Sequence, residues 1–495
     1  MPHNSANGLR LAEVTFGFQP HEEHAVLQAC SLTIAPNKIT AISGRSGCGK
    51  STLLMLLSGL YPEHGGYLFH GKVSVDGLAI DAFSPKARAE TVAVMFQNPE
   101  LQFCMDTVEN EIIFCLENLR LAPAEIDYRL TQALQFCDIE ALRDRQLHTL
   151  SGGEKQRVIL ACMVALQSRY LLLDEPFANL DPVSAYHLCC KLRQYQQKQA
   201  CSIVIIDHHI EPLQPFCDEL LLLGAKGEVI AQRDISRQHL TIEELQHFGL
   251  LPVKQPTEHR PLNEAKPLFT LNAVTLKQGD RHLFTTDYQT FHQQRLIALT
   301  GASGCGKSTL LATLARMHPY QGSIQLYAPA QKHPREISTF AIKRYAPMVG
   351  IVFQDPHDQF VTERVIDEIR FSLQGHLQEP ELSQHAQAQL TALGLWHYRN
   401  RAPYSLSQGE QRKLAVTVLL ACRCRILLCD EPTYGLDAFA AENLMTFLAQ
   451  KVAYEGVSIL FTTHDLGLAT HYSDDWFAIE NDQLITLKQN GERQE

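Results

Sequence analysis

One nine-residue pattern occurs twice in this sequence, and that repetition limits the possible folds more than any other feature. The first copy is Gly44-Arg45-Ser46-Gly47-Cys48-Gly49-Lys50-Ser51-Thr52, and the second is Gly301-Ala302-Ser303-Gly304-Cys305-Gly306-Lys307-Ser308-Thr309. Both fit G-x-x-x-x-G-K-[ST], a loop whose backbone N–H groups turn inward around phosphates. The helix that follows directs its positive end at the same anion. The lysine reaches the outer phosphates and the next hydroxyl ligates Mg²⁺, so ATP-type nucleotide and Mg²⁺ are expected at Lys50 and Ser51 and again at Lys307 and Ser308. Each loop has the setting it needs. Apolar segments at residues 38–43 and 295–300 read as strands before the loops, and residues 52–57 and 310–312 as buried helix after them.

The loops are landmarks of a longer internal repeat. Lys50 to Lys307 and Gln97 to Gln354 are both 257 residues, whereas Ser151 to Ser407, Asp174 to Asp430, Asp181 to Asp437 and His208 to His464 are all 256. One single-residue length difference accounts for the series. The expected division is a first domain over 9–249, a linker over 250–268 and a second domain over 269–495. The linker carries Pro252, Pro256, Pro261 and Pro267 among polar residues. Extended at ~3.3 Å per residue, it spans about 60 Å.

Within each repeat, strand-like and helix-like runs alternate, which predicts an α/β fold around a mainly parallel sheet. Residues 92–96, 170–173 and 202–206 are strand candidates in the first repeat. Helical periodicity over 108–119 and 124–137 predicts a helical subdomain inserted between Gln97 and Leu150.

Charge and cysteine content narrow the function. The net charge is −11 with no long basic run, which argues against a chain that grips nucleic acid. Fourteen cysteines form no C-x-x-C pair, so reduced thiols are expected rather than a disulfide framework or a zinc site. No apolar run approaches the ~18 residues of a membrane helix, and the first residues do not read as a signal peptide. A membrane role would have to come through a partner.

Two further elements carry chemistry. Leu171-Leu172-Leu173-Asp174-Glu175 and Ile426-Leu427-Leu428-Cys429-Asp430-Glu431 are apolar strands ending in paired acids. Downstream of a phosphate loop, Asp174 and Asp430 are expected at Mg²⁺, and Glu175 and Glu431 as general bases toward water. Leu150-Ser151-Gly152-Gly153-Glu154 opens the apolar helix 158–166, and a serine with glycines at a helix start makes a second anion site.

With Leu150-Ser151-Gly152-Gly153-Glu154 before one acidic strand and Leu406-Ser407-Gln408-Gly409-Glu410 before the other, the chain resembles the ATP-binding cassette (ABC) ATPases over nearly its whole length. The resemblance implies two tandem P-loop NTPase domains. Each would be a RecA-like, mainly parallel core with an antiparallel β subdomain and an inserted helical one. It implies that Gln97 and Gln354 contact Mg²⁺ and the attacking water, and that His208 and His464 contact the γ-phosphate. Asn179-Leu180-Asp181 and Gly435-Leu436-Asp437 resemble the D-loop, and Phe18 the aromatic residue that stacks on adenine. His209 is given no role. The family pairs its domains head to tail, so the two repeats would pair within the chain. One site would join Lys50, Asp174 and Glu175 to Ser407 and Gly409; the other would join Lys307, Asp430 and Glu431 to Ser151, Gly152 and Gly153. Three departures predict unequal sites: Gln408 stands where glycine is usual, Gln278 where an aromatic is expected, and Asp207 where threonine is common.

Gln97-Asn98-Pro99-Glu100-Leu101-Gln102 and Gln354-Asp355-Pro356-His357-Asp358-Gln359, each followed by an acidic helix start, resemble the ATPase subunits of energy-coupling factor (ECF) importers. That resemblance implies a peripheral place on the cytoplasmic face of the cell membrane. The partners would be an integral transmembrane (T-type) subunit and a small substrate-binding membrane subunit, and the cargo a vitamin, a vitamin precursor or a transition-metal ion. Glu109, Glu111, Asp367 and Glu368 are the candidate contacts for basic coupling helices. Two alternatives stay open, a ribosome-acting translation factor and a sugar-importer ATPase. The first usually carries a longer charged linker, and the second does not account for the Asn-Pro-x-x-Gln stretch.

Overall fold

The computed structural model describes residues 8–488 except 46, 178, 179, 181, 209, 253–265, 328–332, 376 and 423. Ser46, Asn179, Asp181, His209 and most of the expected linker therefore lie outside the described residues. The chain divides into two compact units, Met1–Val253 and Lys254–Glu495.

Unit 1 is built on a six-stranded sheet in the order Val229–Asp234, Glu219–Leu223, Ile39–Gly44, Ser202–Ile206, Tyr170–Asp174, Val92–Met95. All neighbours are parallel except the first pair. Central parallel strands are covered on both faces and read as continuous apolar runs. Leu171-Leu172-Leu173 and Ile203-Val204-Ile205-Ile206 are such runs, every residue at most 2 % exposed. A separate four-stranded antiparallel sheet, ordered Leu27–Ile34, Leu9–Gly17, Tyr67–Val75, Leu78–Ala79, covers the phosphate-loop helix Lys50–Leu57.

The inserted helices are Val108–Glu117 and Pro123–Cys137, close to the ranges the periodicity predicts. They pack on Gly152–Leu166, whose stretch Val158–Ala165 is buried throughout. That helix has no solvent stripe because the sheet occupies one side and the helical insert the other.

Unit 2 repeats the plan as one ten-stranded sheet. Its parallel part runs Asp475–Glu480, Leu296–Gly301, Ser458–Thr462, Ile426–Cys429, Val349–Val352. An antiparallel part contains the long hairpin Pro267–Gln278 and Arg281–His292. The two parts are joined through a single pairing, Thr285 with Gln483. The first strand begins at Pro267, inside the stretch expected as linker.

Candidate functional site

In unit 1 the phosphate loop, the strand preceding His208, the strand ending in Asp174 and the strand preceding Gln97 are four consecutive parallel neighbours. Their carboxyl ends converge, the usual place for a ligand in an open parallel sheet. Unit 2 brings Gly301, His464, Asp430 and Gln354 together by the same order.

Each loop is a cradle that admits little else. Gly49 has φ 102°, and a Cβ there would come 2.5 Å from Leu27 Cδ2. Gly306, at φ 111°, starts the helix Lys307–Leu314 in the same way. Gly47, Ser51, Ser303, Gly304 and Ser308 are exposed, while Cys48, Thr52, Lys50 and Lys307 are buried; Cys305 and Thr309 are half-buried. Lys50 donates to Gly44 O at 2.7 Å and Arg45 O at 3.1 Å. Lys307 donates to Gly301 O at 2.9 Å and Ala302 O at 3.1 Å. Each ammonium thus bridges its own loop and keeps one N–H direction. Among the described residues that direction meets Cys48 Sγ at 4.0 Å in unit 1 and His464 Nε2 at 3.2 Å in unit 2.

The acids follow. Asp174 is 2 % exposed, and burial pushes its carboxyl up to about 6, against the hydrogen bond from Ser51 and with the added push of the Glu175 charge. Its Oδ1 has no partner. An unpartnered buried carboxylate oxygen beside the loop hydroxyl is a donor set that fits Mg²⁺. Asp430 Oδ1 instead accepts from Thr462 Oγ1 at 2.7 Å, and Thr462 Oγ1 in turn accepts from the Glu431 amide at 2.7 Å.

Glu175 and Glu431 both hold left-handed backbone, φ 49° and 43°, a conformation a glutamate adopts only where its surroundings impose it. Their carboxylates differ. Glu175 Oε2 accepts from Gln97 Nε2 at 2.8 Å, and Oε1 lies 2.8 Å from His208 Nε2. His208 Nδ1 is buried without a partner. Gln354 makes no matching bond to Glu431 among the described residues. His464 Nε2 is 3.2 Å from Glu431 Oε1, yet that oxygen accepts no hydrogen bond. An Nε2 that accepts from Lys307 has no proton to give, which accounts for the gap. Burial pushes Glu431 up to about 7, opposed by Lys307 and aided by the Asp430 charge.

The signature serines lie elsewhere, at the starts of the helices Gly152–Leu166 and Gln408–Ala421. Ser151 Oγ donates to Glu154 Oε2 at 2.8 Å, and Ser407 Oγ to Glu410 Oε2 at 2.7 Å. These are complete capping boxes, a role that Ser-x-x-Glu announces. Gln408 lies against Gly435, where a Cβ would come 2.7 Å from Gln408 Oε1. The adenine candidate Phe18 is 51 % exposed and held edge-on by Phe16 and Tyr61. Gln278 is exposed at the end of its strand.

The acids expected to meet a membrane partner are engaged inside the chain. Glu111 is 2 % exposed and accepts from the Cys104 and Met105 amides at 2.9 and 2.8 Å. Glu368 holds the Val361 and Thr362 amides in the same way. Glu109 pairs with Arg143, and Asp367 with Arg364. A helix-start acid one turn along faces back onto the preceding loop, so it staples the loop rather than facing solvent. Gln102, which closes the Asn-Pro-x-x-Gln stretch, braces the strand end, a role its sequence position did not show. It accepts from the Phe96 amide at 2.7 Å and donates to Val94 O at 2.9 Å. Gln102 and Glu111 also line a cleft with Cys115, Ile159, Cys162, Met163 and Leu166.

A family model described as "ABC transporter" matches residues 27–178 and 287–434, one stretch in each unit and together more than half of the chain. The chain belongs to the ABC transporter family. Among relatives of this ABC ATPase is a Bacillus subtilis (strain 168) protein provisionally named HMP/thiamine import ATP-binding protein YkoD, 30 % identical over 96 % of this chain and 90 % of that one. A Methanosarcina mazei protein provisionally named an ABC transporter ATP-binding protein is 27 % identical over 94 % and 86 %. The archaeal ribosome recycling factor aABCE1, solved with the ribosomal stalk protein aP1, shares the tandem fold at TM-score 0.64, covering 96 % of this chain and 90 % of that chain. At 18 % identity this likeness is one of fold alone. The protein is thus an ATP-binding subunit whose ATP hydrolysis is coupled to transport, the work of a family that partners membrane transport subunits. No helix among the described residues is long and apolar enough to cross a membrane itself.

Proposed function

We propose that this chain is the paired motor of an ECF-type importer, with both ATP sites supplied by one polypeptide. Each site is composite. Lys50, Asp174, Glu175 and the Gly44–Thr52 loop are completed by Ser407 and Gly409, and Lys307, Asp430, Glu431 and the Gly301–Thr309 loop by Ser151, Gly152 and Gly153. Mg²⁺ would be held by Ser51, Asp174 and Gln97, and by Ser308, Asp430 and Gln354, where it supplies charge neutralisation on the phosphates. The rest is the work of side chains. Lys50 and Lys307 turn their remaining N–H to the phosphates, and each signature serine leaves its capping glutamate to donate to the γ-phosphate. Glu175 then accepts the proton of the attacking water, which requires that Gln97 and His208 release its two oxygens. At the second site Glu431 has a free Oε1, and it must be ionised to act.

The observation that carries the importer reading is the Gln97–Gln102 stretch with its stapled acidic helix, present in both repeats and set beside the cleft of Gln102, Glu111 and Cys115. The coupling helix of a transmembrane subunit would seat apolar side chains in this cleft, since its one acid, Glu111, already holds the Cys104 and Met105 amides. The full-length likeness to a protein named for HMP/thiamine import makes thiamine precursors the first cargo to test, ahead of other vitamins or cobalt and nickel. Co-expression with a T-type and a small substrate-binding subunit should bring the chain to membranes and give ATP-dependent uptake of labelled precursor. Uptake should vanish in the chain carrying both Glu175→Gln and Glu431→Gln. Sedimentation with ribosomes in place of membrane recruitment would replace this reading with the translation-factor one.

A further inference from the structure

Arg412 is a buried cation that none of the above explains. It lies on the second signature helix, 2 % exposed, and its guanidinium donates to Glu431 O at 2.6 Å and Tyr434 O at 2.6 Å. Burial pulls its pKa down to about 10, with the charges of Tyr434, Glu431 and Asp355 opposing. One side chain therefore connects four elements: the helix that Ser407 caps, the carbonyl of the catalytic glutamate, the segment after it toward Gly435, and the field of the residue following Gln354.

Among the described residues the first repeat has no such link. The 256-residue offset that relates Ser151 to Ser407 places Gln156 opposite Arg412. Gln156 is equally buried, at 2 % exposed, yet neither of its amide atoms has a hydrogen-bond partner. Glutamine has a shorter side chain than arginine and does not repeat the contact. The asymmetry is thus built into one position.

Its meaning follows from which ATP each end serves, and so rests on the composite-site reading above. Ser407 faces the ATP held by Lys50, whereas Glu431 acts on the ATP held by Lys307. We propose that Arg412 is a one-way positioning residue: through its two carbonyl contacts, occupancy of Ser407 by one ATP sets the placement of Glu431 over the other. Glu431 stands on left-handed backbone at φ 43°, where a small rotation of its carbonyl redirects the carboxylate. Among the described residues no guanidinium donates to the Glu175 carbonyl, so the first site turns over without reporting on Ser151.

The test compares signature serines in single-site chains. In a Glu175→Gln chain only the second site turns over, and in a Glu431→Gln chain only the first. Any general loss from weaker closure of the two repeats affects both. Ser407→Ala should lower kcat at the second site by about 10-fold more than Ser151→Ala lowers it at the first. Adding Arg412→Gln, which installs the residue the first repeat already carries, should abolish that excess. Equal effects of the two serine changes, or an excess that survives Arg412→Gln, would overturn the proposal. The serine comparison needs no change at Arg412, so it decides even if that variant is unstable. A filter-binding assay of ATP trapped in the Glu175→Gln chain separates the two levels of inference. If Ser407→Ala fails to shorten retention there, the composite reading itself is wrong. If retention shortens and the excess is absent, only the role of Arg412 is wrong.

Discussion

Replacing Glu431 by glutamine should stabilise the nucleotide-free protein, and the gain should grow with pH. The carboxyl is pushed from the ordinary glutamate value of 4.5 up to about 7, chiefly by burial. An acid whose folded value lies above its unfolded one adds most to stability below the unfolded value. That contribution is lost as pH rises through the folded value, because the charge must then be carried in the interior. The window is therefore 4.5 to about 7. At roughly 1.4 kcal/mol per tenfold change in proton affinity, the full loss is about 3 kcal/mol above it. A neutral isostere escapes this loss, so the advantage of Glu431→Gln should rise from about 1 kcal/mol at pH 5.5 to about 3 kcal/mol at pH 8.5. For a unit of this size that is a gain of roughly 6–12 °C in melting temperature at the higher pH. Differential scanning calorimetry in EDTA, without nucleotide, reads it directly. A gain independent of pH, or a loss at pH 8.5, would refute the account of Glu431 as a carboxyl raised by burial against the opposing Lys307 charge and His464 backbone hydrogen bond.

Other expectations can be checked with simpler assays. Phe18→Ala should weaken ATP at the Lys50 site about 10-fold, the worth of one base–aromatic stack, and leave the Lys307 site unchanged; fluorescent-nucleotide titration distinguishes them. Glu111→Gln, losing an ionised acceptor for two backbone amides, should cost about 2 kcal/mol and speed hydrogen exchange at Cys104 and Met105 before any loss of ATP binding. Lys50→Ala and Lys307→Ala should each remove nucleotide from their own loop, and the two changes together should lower total ATPase activity by more than about 10². EDTA should abolish hydrolysis and leave most ATP binding intact.

Much of this was legible in the sequence because the chemistry is local. A phosphate loop, an apolar strand ending in two acids and a serine before an apolar helix each declare themselves within about ten residues, and the 256- and 257-residue offsets align them. Parallel strands of pure aliphatic residues fixed the sheet, and the helical insert followed from periodicity. What escaped depended on where side chains point. Glu111 and Glu368 look like a solvated acidic face, yet the helix start turns them back onto their own loop. Gln102 looks like a surface amide and is a strand-end brace. Thr462 pairs in the repeat with Ile206, and nothing in either residue announces that the threonine would bridge Asp430 and the Glu431 amide. Arg412 shows the same limit, since a basic residue early in a helix reads as exposed until its two carbonyl partners are seen.

The capping boxes at Ser151 and Ser407 have a consequence for which anions the protein can answer. At rest each hydroxyl is already spent on a carboxylate, Glu154 or Glu410, at 2.8 and 2.7 Å. A ligand must displace that charge-assisted bond, worth roughly 1.5–3 kcal/mol, before the serine can turn to it. The helix start is thus closed by its own side chains, and any anion that uses the serine must first open that bond.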